Sequence, residues 1–379
     1  MNDFEKILVH EFPVSRNLIY LNHAAVAPWP TRTSEAVILF ARENNEHGAQ
    51  YYPEWVALEQ QTRRMCATMI NAGSSDDIAF QKNTSEALSV VAHGFPWQAG
   101  DNVVICDEEF PSNRIVWESL HAYGVQVKQL ALENGSSPED TLINACDHRT
   151  RLLSISSVQY ASGLRMDLQR LGEHCHKNGI AFCVDAIQGL GVVPHDVEAM
   201  HIDFLMADAH KWLLSPEGIA IFYCSEEWRE QLKLHEFGWH MIEDHMDYDR
   251  KDWSTAESAR RFECGSPNML GIHALHASLS LFAELGVDAI GQAILQRSEY
   301  LFEKIRQLNH LSLISKDDSN RFAGIVSFKH NSRNNDGLYK YLMQNNVICA
   351  LRGGGIRFSP HCYTGLDQLD TALSLTNAG

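Results

Sequence analysis

Residues 180–188 read IAFCVDAIQ, an apolar run that ends on the carboxylate of Asp185. A short continuous apolar run is typical of a strand that is buried on both faces of a parallel sheet. Gly179 precedes the run and ends a helical pattern over 168–179, since glycine commonly follows the last turn of a helix. The stretch therefore predicts a helix, then a buried strand, then a polar side chain at the strand's carboxyl end.

The same alternation extends along most of the chain. Further strands are predicted at 77–81, 102–106, 125–130, 151–156, 204–207 and 219–223, and further helices at 85–94, 113–123, 270–285 and 290–309. Strands that alternate with helices predict an α/β fold with a mostly parallel sheet flanked by helices, followed here by a smaller α+β unit. We assign 15–268 to the large domain, and 1–14 with 269–379 to a small C-terminal domain with an N-terminal arm.

Composition narrows the class of protein. The 379 residues include 31 Lys and Arg against 48 Asp and Glu, a net charge of −17, which disfavours binding to nucleic acid or to an anionic membrane. Residues 1–12 lack the pattern of a signal peptide, and no apolar run is long enough to span a bilayer. Nine scattered cysteines without a CxxC pair indicate reduced thiols, so we expect a cytoplasmic protein.

Ligands of open parallel sheets bind beyond the carboxyl ends of the strands, so the residues that follow each strand are the main candidates for a binding site. Thr84 and Ser85 open a helix, where they either cap it or bind a phosphate. Asp185 either caps a turn or holds a cationic ring nitrogen. Lys211 is either a solvated surface residue or a partly buried amine suited to a Schiff base.

Three glycines, 353–355, separate Arg352 from the segment that ends at Arg357. The glycines predict a hairpin turn, and an arginine beside such tight backbone can bind a substrate carboxylate through two hydrogen bonds. A pyridoxal phosphate (PLP) enzyme needs four such groups together: a phosphate site, a partner for a ring nitrogen, an amine that forms an imine, and a carboxylate site.

These motifs, in this order, resemble the class V aminotransferase family of fold-type-I PLP enzymes, which includes cysteine desulfurases, selenocysteine lyases, kynureninase and isopenicillin N epimerase. The resemblance runs from YLNHAA at 20–25 to IRFSP at 356–360. Its most specific parts are VDAIQ at 184–188, HKWLLSPEG at 210–218 and RFECGSPN at 261–268. It implies the aspartate aminotransferase-like fold, PLP as cofactor, and a homodimer with shared active sites.

The resemblance also assigns roles to single residues. It implies that Lys211 is catalytic and forms the imine with the cofactor, that Asp185 contacts the pyridine nitrogen, and that Phe110 stacks on the ring. The cofactor-binding residues that it implies are Thr84, Ser85, Phe110, Asp185, Gln188, Asp208, His210, Lys211 and Ser266, of which Ser266 reaches the phosphate of a neighbouring subunit. The substrate-binding residues that it implies are Arg357, for the α-carboxylate, Tyr160 and His23.

The sequence departs from the family at two places. Asp208 stands where many relatives have Ser, and because an anion repels phosphate we expect its side chain to turn away or to meet a cation. Desulfurases carry a nucleophilic Cys on a loop between the positions of Arg352 and Arg357, where this chain has only 353–356. Cys349 and Cys362 flank that segment, and we expect both to be structural.

We therefore expect an enzyme that acts on the Cα or Cβ of a small amino acid, with Lys211 as the base for the Cα proton. A desulfurase-like or lyase reaction is favoured, and an epimerase or aminotransferase is the alternative. Less favoured are a non-catalytic PLP-fold protein and a dinucleotide site at 189–191, which lacks the third glycine. A zinc site drawn from His235, His240 and His245, or from His174 to His176, lacks the spacing of a zinc motif, so no metal is expected.

Overall fold

The computed structural model describes residues 3–132, 137–249 and 251–378. Within these ranges the helices are α1 (Asp3–Glu11), α2 (Thr31–His47), α3 (Tyr52–Met69), α4 (Thr84–Gly94), α5 (Ser112–Glu118), α6 (Pro138–Ala145), α7 (Leu168–Asn178), α8 (Glu226–Arg229), α9 (Met269–Leu285), α10 (Val287–Arg306), α11 (Asn335–Gln344) and α12 (Leu366–Ala378). The strands are β1 (Ile19–Tyr20), β2 (Ile78–Gln81), β3 (Asn102–Cys106), β4 (Gln126–Leu130), β5 (Thr150–Ser156), β6 (Ala181–Asp185), β7 (Phe204–Asp208), β8 (Ala220–Cys224), β9 (Leu311–Leu313), β10 (Val326–His330), β11 (Val347–Ile348), β12 (Ala350–Arg352) and β13 (Gly355–Phe358).

Seven strands form the central sheet in the order β2-β8-β7-β6-β5-β3-β4. All neighbours are parallel except β8, which is antiparallel to both β7 and β2. Because β8 is antiparallel to both of its neighbours, β2 and β7 run in the same direction. Both strands therefore end at the same edge of the sheet. This architecture confirms the predicted α/β fold with a mostly parallel sheet.

Alternate residues of each central strand enter two separate apolar cores. In β6, Phe182 and Val184 pack in the core that α3, α7 and α9 cover. Ala181 and Cys183 point the other way, into the core that α4 and α5 cover. Side chains of a strand alternate between faces, so a strand covered by helices on both faces needs apolar residues throughout. That requirement explains the unbroken apolar run of 180–184.

A second sheet, in the order β12-β13-β10-β9, is antiparallel and packs with α10, α11 and α12. The two predicted domains are joined at several places, two of which involve whole elements. Strand β1 pairs in parallel with β11, which lies in the C-terminal region. Helix α9 contributes apolar side chains to the core of the central sheet, so that core extends past the predicted boundary at residue 268.

No single helix in the described ranges has both the length and the apolar composition to cross a bilayer. Helices α9 and α10 meet both criteria only when taken together, and they are bent by 84° where they join. Much of α9 is buried in the protein core.

A buried ion network ties α3 to the segment that follows the central sheet. The Arg63 guanidinium donates to Glu263 Oε1 at 2.6 Å and to Oε2 at 2.8 Å, and it also pairs with Glu59. His240 Nδ1 lies 3.5 Å from Glu263, and burial lowers the pKa of His240 to about 4, so the imidazole is neutral. Among the described residues, Glu59, His240 and Glu263 are the group of possible metal ligands that converge. Since Arg63 already supplies a cation to both carboxylates, the cluster is a structural ion pair.

Replacing Arg63 by Leu leaves two buried carboxylates without a cation, so we expect the free energy of unfolding to fall by about 3–5 kcal/mol. Denaturant unfolding measures this loss. The neighbouring Arg64 is exposed on the same helix, and Arg64→Leu is expected to change stability by less than about 0.5 kcal/mol. Equal losses in the two variants would contradict the assignment.

Candidate active site

A cavity of about 300 Å³ lies where β2, β6 and β7 end. Its lining includes ten of the twelve residues predicted from the sequence, namely Thr84, Ser85, Phe110, Tyr160, Asp185, Gln188, Asp208, His210, Lys211 and Arg357. The remaining two, His23 and Ser266, lie outside this lining. Carboxyl ends of parallel strands meet at one edge of a sheet, which is why Thr84, Asp185 and Lys211 converge here. Arg357 reaches the same cavity from the second sheet.

Asp185 is the last residue of β6 and is 2% exposed. Its Oδ1 accepts a hydrogen bond from the Ile187 N–H at 3.1 Å, and the described residues give it no ion pair closer than 4.0 Å. Burial raises the pKa of Asp185 to about 7, the negative charge of Glu109 adds to the rise, and the positive charge of Lys211 opposes it. A buried carboxylate with so few partners is suited to a cationic ligand such as a protonated pyridine nitrogen.

Lys211 follows β7 and is 8% exposed. Burial lowers its pKa to about 8, Arg357 and Arg352 contribute to the decrease, and Asp185 opposes it. The Nζ atom lies 5.5 Å from the centre of the Phe110 ring, and the Tyr160 ring meets Phe110 edge-on at 5.2 Å. An amine with this pKa is partly neutral near pH 8, and a neutral lysine amine is the form that attacks an aldehyde.

Gln188 is fixed by two neighbours in the cavity lining. Its Nε2 donates to the Ala24 carbonyl at 2.9 Å, and its Oε1 accepts from the Trp212 indole at 3.0 Å. An amide nitrogen carries two hydrogens, so one remains for an acceptor in the cavity. The side chain can therefore serve its predicted contact with the cofactor without losing its own hydrogen bonds.

The N-terminus of helix α4 lines the cavity, where the phosphate of the cofactor is expected to bind. Thr84 opens the helix, and its Oγ1 accepts from the Asp208 N–H at 3.1 Å, which leaves the hydroxyl hydrogen available. Asp208 Oδ1 lies 2.8 Å from His210 Nδ1. Asp208 thus faces the imidazole of a residue that lines the same cavity. Hydroxyls and a helix N-terminus are suited to bind a phosphate.

Arg357 is 2% exposed and lies on β13 of the second sheet. Its Nη1 donates to the Tyr160 carbonyl at 2.7 Å, while its Nε is buried without a hydrogen-bond partner among the described residues. Burial lowers the pKa of Arg357 to about 10, and the charge of Arg352 adds to this effect. A buried guanidinium with free donors and no acidic partner is suited to bind a carboxylate.

His23 does not face the cavity, although its neighbours Ala24, Ala25 and Val26 do. Its Nδ1 lies 2.8 Å from the Ser359 carbonyl and its Nε2 lies 2.9 Å from the Tyr363 hydroxyl. The ring is fully buried against other aromatic rings, and burial lowers the pKa of His23 to about 4. The structure therefore packs the His23 ring beside the cavity, and its predicted contact with the substrate stays a prediction.

Ser266 is exposed and stands apart from the cavity of its own chain. Its predicted contact with the phosphate in a neighbouring subunit stays a prediction. The three histidines at 235, 240 and 245 do not converge as metal ligands, because His235 bonds to the His93 carbonyl instead.

The sequence analysis gave no role to Glu109. Glu109 is buried beside Phe110 and accepts hydrogen bonds from Asn113 at 2.7 Å, from the Ser156 N–H at 2.8 Å and from Gln159 at 3.0 Å, so it holds the loop that carries Phe110. Its position directly before Phe110 was the available signal. Arg352 also lines the cavity, although the family resemblance assigns the substrate carboxylate to Arg357 alone.

Comparison with known proteins agrees with this geometry. The family model for Aminotransferase class-V matches residues 19–364. A probable cysteine desulfurase of Methanothermobacter thermautotrophicus is 29% identical over 348 residues, which cover 90% of this chain and 86% of the relative. A cysteine desulfurase of Klebsiella pneumoniae is 31% identical over 337 residues, covering 84% of this chain and 80% of that protein.

The fold has close counterparts among solved structures. A mutant of C-DES with glycine covalently linked to its PLP cofactor superposes with a TM-score of 0.89 at 22% identity, covering 97% of this chain and 98% of the other. Such low identity supports the fold alone. Taken with the family match over most of its length, these findings show that the chain belongs to the class V aminotransferase family and is a PLP-dependent enzyme.

Proposed function

We propose that this enzyme removes the Cα proton of a small amino acid and cleaves a bond at Cβ, as a lyase related to the cysteine desulfurases. The observation that carries the proposal is that Lys211 and the unpaired, buried Arg357 line the same cavity. Lys211 is an amine of lowered pKa, and Arg357 is a guanidinium that can bind an α-carboxylate. Together they orient an amino acid with its Cα near the amine.

When bound through Lys211, PLP supplies a pyridinium ring that accepts the electron pair left at Cα. Asp185 would hold the ring nitrogen in its protonated form, and its burial without another ion pair would strengthen that interaction. Thr84, Ser85 and His210 would hold the phosphate, and Phe110 would support the ring.

Arg357 would bind the α-carboxylate and so orient the amino acid about its Cα. The Lys211 amine would accept the Cα proton at Nζ. The pKa of Lys211, lowered by burial to about 8, suits an amine that must accept a proton and later return it near neutral pH.

The site favours release of a small product over transfer of sulfur to a protein thiol. No cysteine lines the cavity among the described residues. Cys349 and Cys362 are buried, and burial raises the pKa of each thiol to about 12, so neither is a thiolate at neutral pH. Two glycines, Gly353 and Gly354, form the whole turn between β12 and β13, where desulfurases carry their cysteine loop.

Epimerisation is the second candidate, and one observation favours it. An epimerase needs a second group that can return a proton to Cα from the other side. Tyr160 lines the cavity from a different segment of the chain than Lys211, and a phenol hydroxyl is a group that can donate a proton.

We also infer that the active unit is a homodimer. Exposed aromatic side chains cluster in the segment before Ser266, where Phe237 is 64%, Tyr248 66% and Trp253 58% exposed. Large exposed apolar surface of this kind is typical of an interface between proteins. A second copy over this surface supports the predicted contact of Ser266 with a neighbouring phosphate.

Lys211→Ala is expected to lower turnover by at least about 100-fold, because it removes the base for the Cα proton. Wild-type holoprotein is incubated with single amino acids and the products are identified as sulfide, alanine, a keto acid or an inverted isomer. Lys329→Ala changes an exposed lysine of β10 and is the control with unchanged turnover. Full turnover by Lys211→Ala would refute the proposal, and an inverted isomer as the sole product would select the epimerase.

The covalent attachment of PLP to the apoprotein is expected to accelerate with rising pH, with its midpoint near pH 8. The neutral amine of Lys211 is the reactive form, and its fraction grows as the pH rises through the pKa. Asp185→Asn removes a negative charge that raises this pKa, so the midpoint is expected to move to lower pH. Borohydride trapping at timed intervals measures the rate. A midpoint near the ordinary lysine value of 10.5, or an upward shift in the variant, would contradict the assignment.

The mass of the protein in solution is expected to be about twice the 42.7 kDa of the chain. Mass photometry or sedimentation measures it. Phe237→Asp places a charge in the exposed apolar segment and is expected to weaken the dimer, whereas Leu366→Asp, on an exposed position of α12, is the matched control. A monomeric wild-type protein that retains full activity would rule the dimer out.

A further inference from the structure

The hairpin of β12 and β13 projects two arginines from one face. Arg352 pairs with Gly355 across the hairpin, and Ala350 pairs with Arg357. Paired residues share a face, and so do residues two apart in one strand, so Arg352 and Arg357 lie on the same face at a diagonal step of about 7–8 Å. Both side chains line the cavity that holds Lys211.

The backbone of this hairpin leaves little freedom for Arg352. Gly353 and Gly354 form a two-residue turn with φ of +58° and +78°, the left-handed values of a tight hairpin turn. A side chain at Gly355 would bring its Cβ within 2.2 Å of the Phe328 carbonyl, so glycine is required there for β13 to pack on β10. The turn therefore holds Arg352, at the end of β12, next to β13, the strand that carries Arg357.

Neither arginine has an acidic partner within ion-pair distance in the described ranges of the chain. The hydrogen bond of Arg352 goes to the Leu351 carbonyl, and that of Arg357 goes to the Tyr160 carbonyl. The acidic residues of the lining are Asp185, Asp208 and Glu217; Asp208 faces His210, and Asp185 sits at the strand end with Lys211. Two guanidiniums thus remain free for a ligand.

One α-carboxylate satisfies one guanidinium. Arg357 is the buried member and lies deeper in the protein, whereas Arg352 is exposed at the opening of the cavity. An amino acid that binds Arg357 through its α-carboxylate and Lys211 through its amine extends its side chain into the remaining space. Neither the contact with Arg357 nor the contact with Lys211 uses the guanidinium of Arg352, which also lines the cavity.

We propose that Arg352 binds an anionic group at the end of the substrate side chain, so that the preferred substrates are α-amino acids whose side chain carries a second carboxylate. The inference rests on the proposed function and adds the substrate class. Charge-assisted, two-pronged hydrogen bonds to a carboxylate are strong, and an amide of the same shape cannot replace them. The site therefore discriminates aspartate from asparagine by charge alone.

L-Aspartate and L-asparagine have nearly the same shape and no good leaving group at Cβ, so both serve as binding probes. Each is titrated into the holoprotein, and the change in visible absorbance gives its dissociation constant. Wild type is expected to bind aspartate at least about tenfold more tightly than asparagine. Arg352→Gln is expected to remove that preference and to leave the affinity for asparagine within about twofold, whereas Arg352→Lys retains part of it.

Arg333→Gln is the matched control, because it removes the same charge from an exposed position near the hairpin that does not line the cavity. Its preference for aspartate is expected to equal that of wild type. Calorimetry with succinate and its monoamide gives a second measurement that needs no amine. Wild type is expected to bind succinate more tightly than the monoamide, whereas Arg352→Gln is expected to bind the two equally.

Each other outcome overturns the inference. Equal affinities of wild type for the two amino acids, or a loss in Arg352→Gln that is the same for both, exclude a side-chain anion at Arg352. If asparagine or other neutral amino acids change the absorbance and aspartate does not, the inference fails while the proposed function stands. If no amino acid changes it, both fail.

Discussion

The site depends on one buried negative charge, the Asp185 carboxylate at the end of the central strand. Strand β6 is held on both sides, with Asp185 in register with Ser156 of β5 and Met206 of β7. A slip of one residue would turn the carboxylate to the other face of the sheet, into an apolar core. The apolar cores on the two faces therefore fix the position of a charge that they cannot themselves stabilise.

That charge explains the arrangement around it. Burial of a carboxylate is unfavourable unless a cation shares its environment. Lys211, three residues beyond β7, provides one in the protein alone, and a protonated ring nitrogen provides another when the cofactor is bound. Arg357, carried by the second sheet, brings a further positive charge without an acidic partner. The cavity thus lies between an anion on one sheet and a cation on the other, which matches the charges of an amino acid held by its cofactor.

Local patterns in the sequence predicted the central strands and the residues at their ends, because both follow from burial on two faces. The helices α2 and α3 were not predicted; α2 buries only Thr33, so it lacks the apolar stripe on which such a prediction rests. The pairing of β1 with β11 joins segments more than 300 residues apart and has no local signal. His23 was placed at the substrate by resemblance, but the packing of its ring against Trp212, His361 and Tyr363 is visible only in three dimensions. The shared face of Arg352 and Arg357 likewise required the hairpin register.

The chemistry proposed for this site requires that the buried amine at position 211 bonds to the aldehyde of PLP. The direct measurement is peptide mapping by mass spectrometry after borohydride reduction of the holoprotein. One pyridoxyl label per chain is expected, on the peptide that contains Lys211, with all other lysines unmodified. A label on another lysine, or none at all, would contradict it.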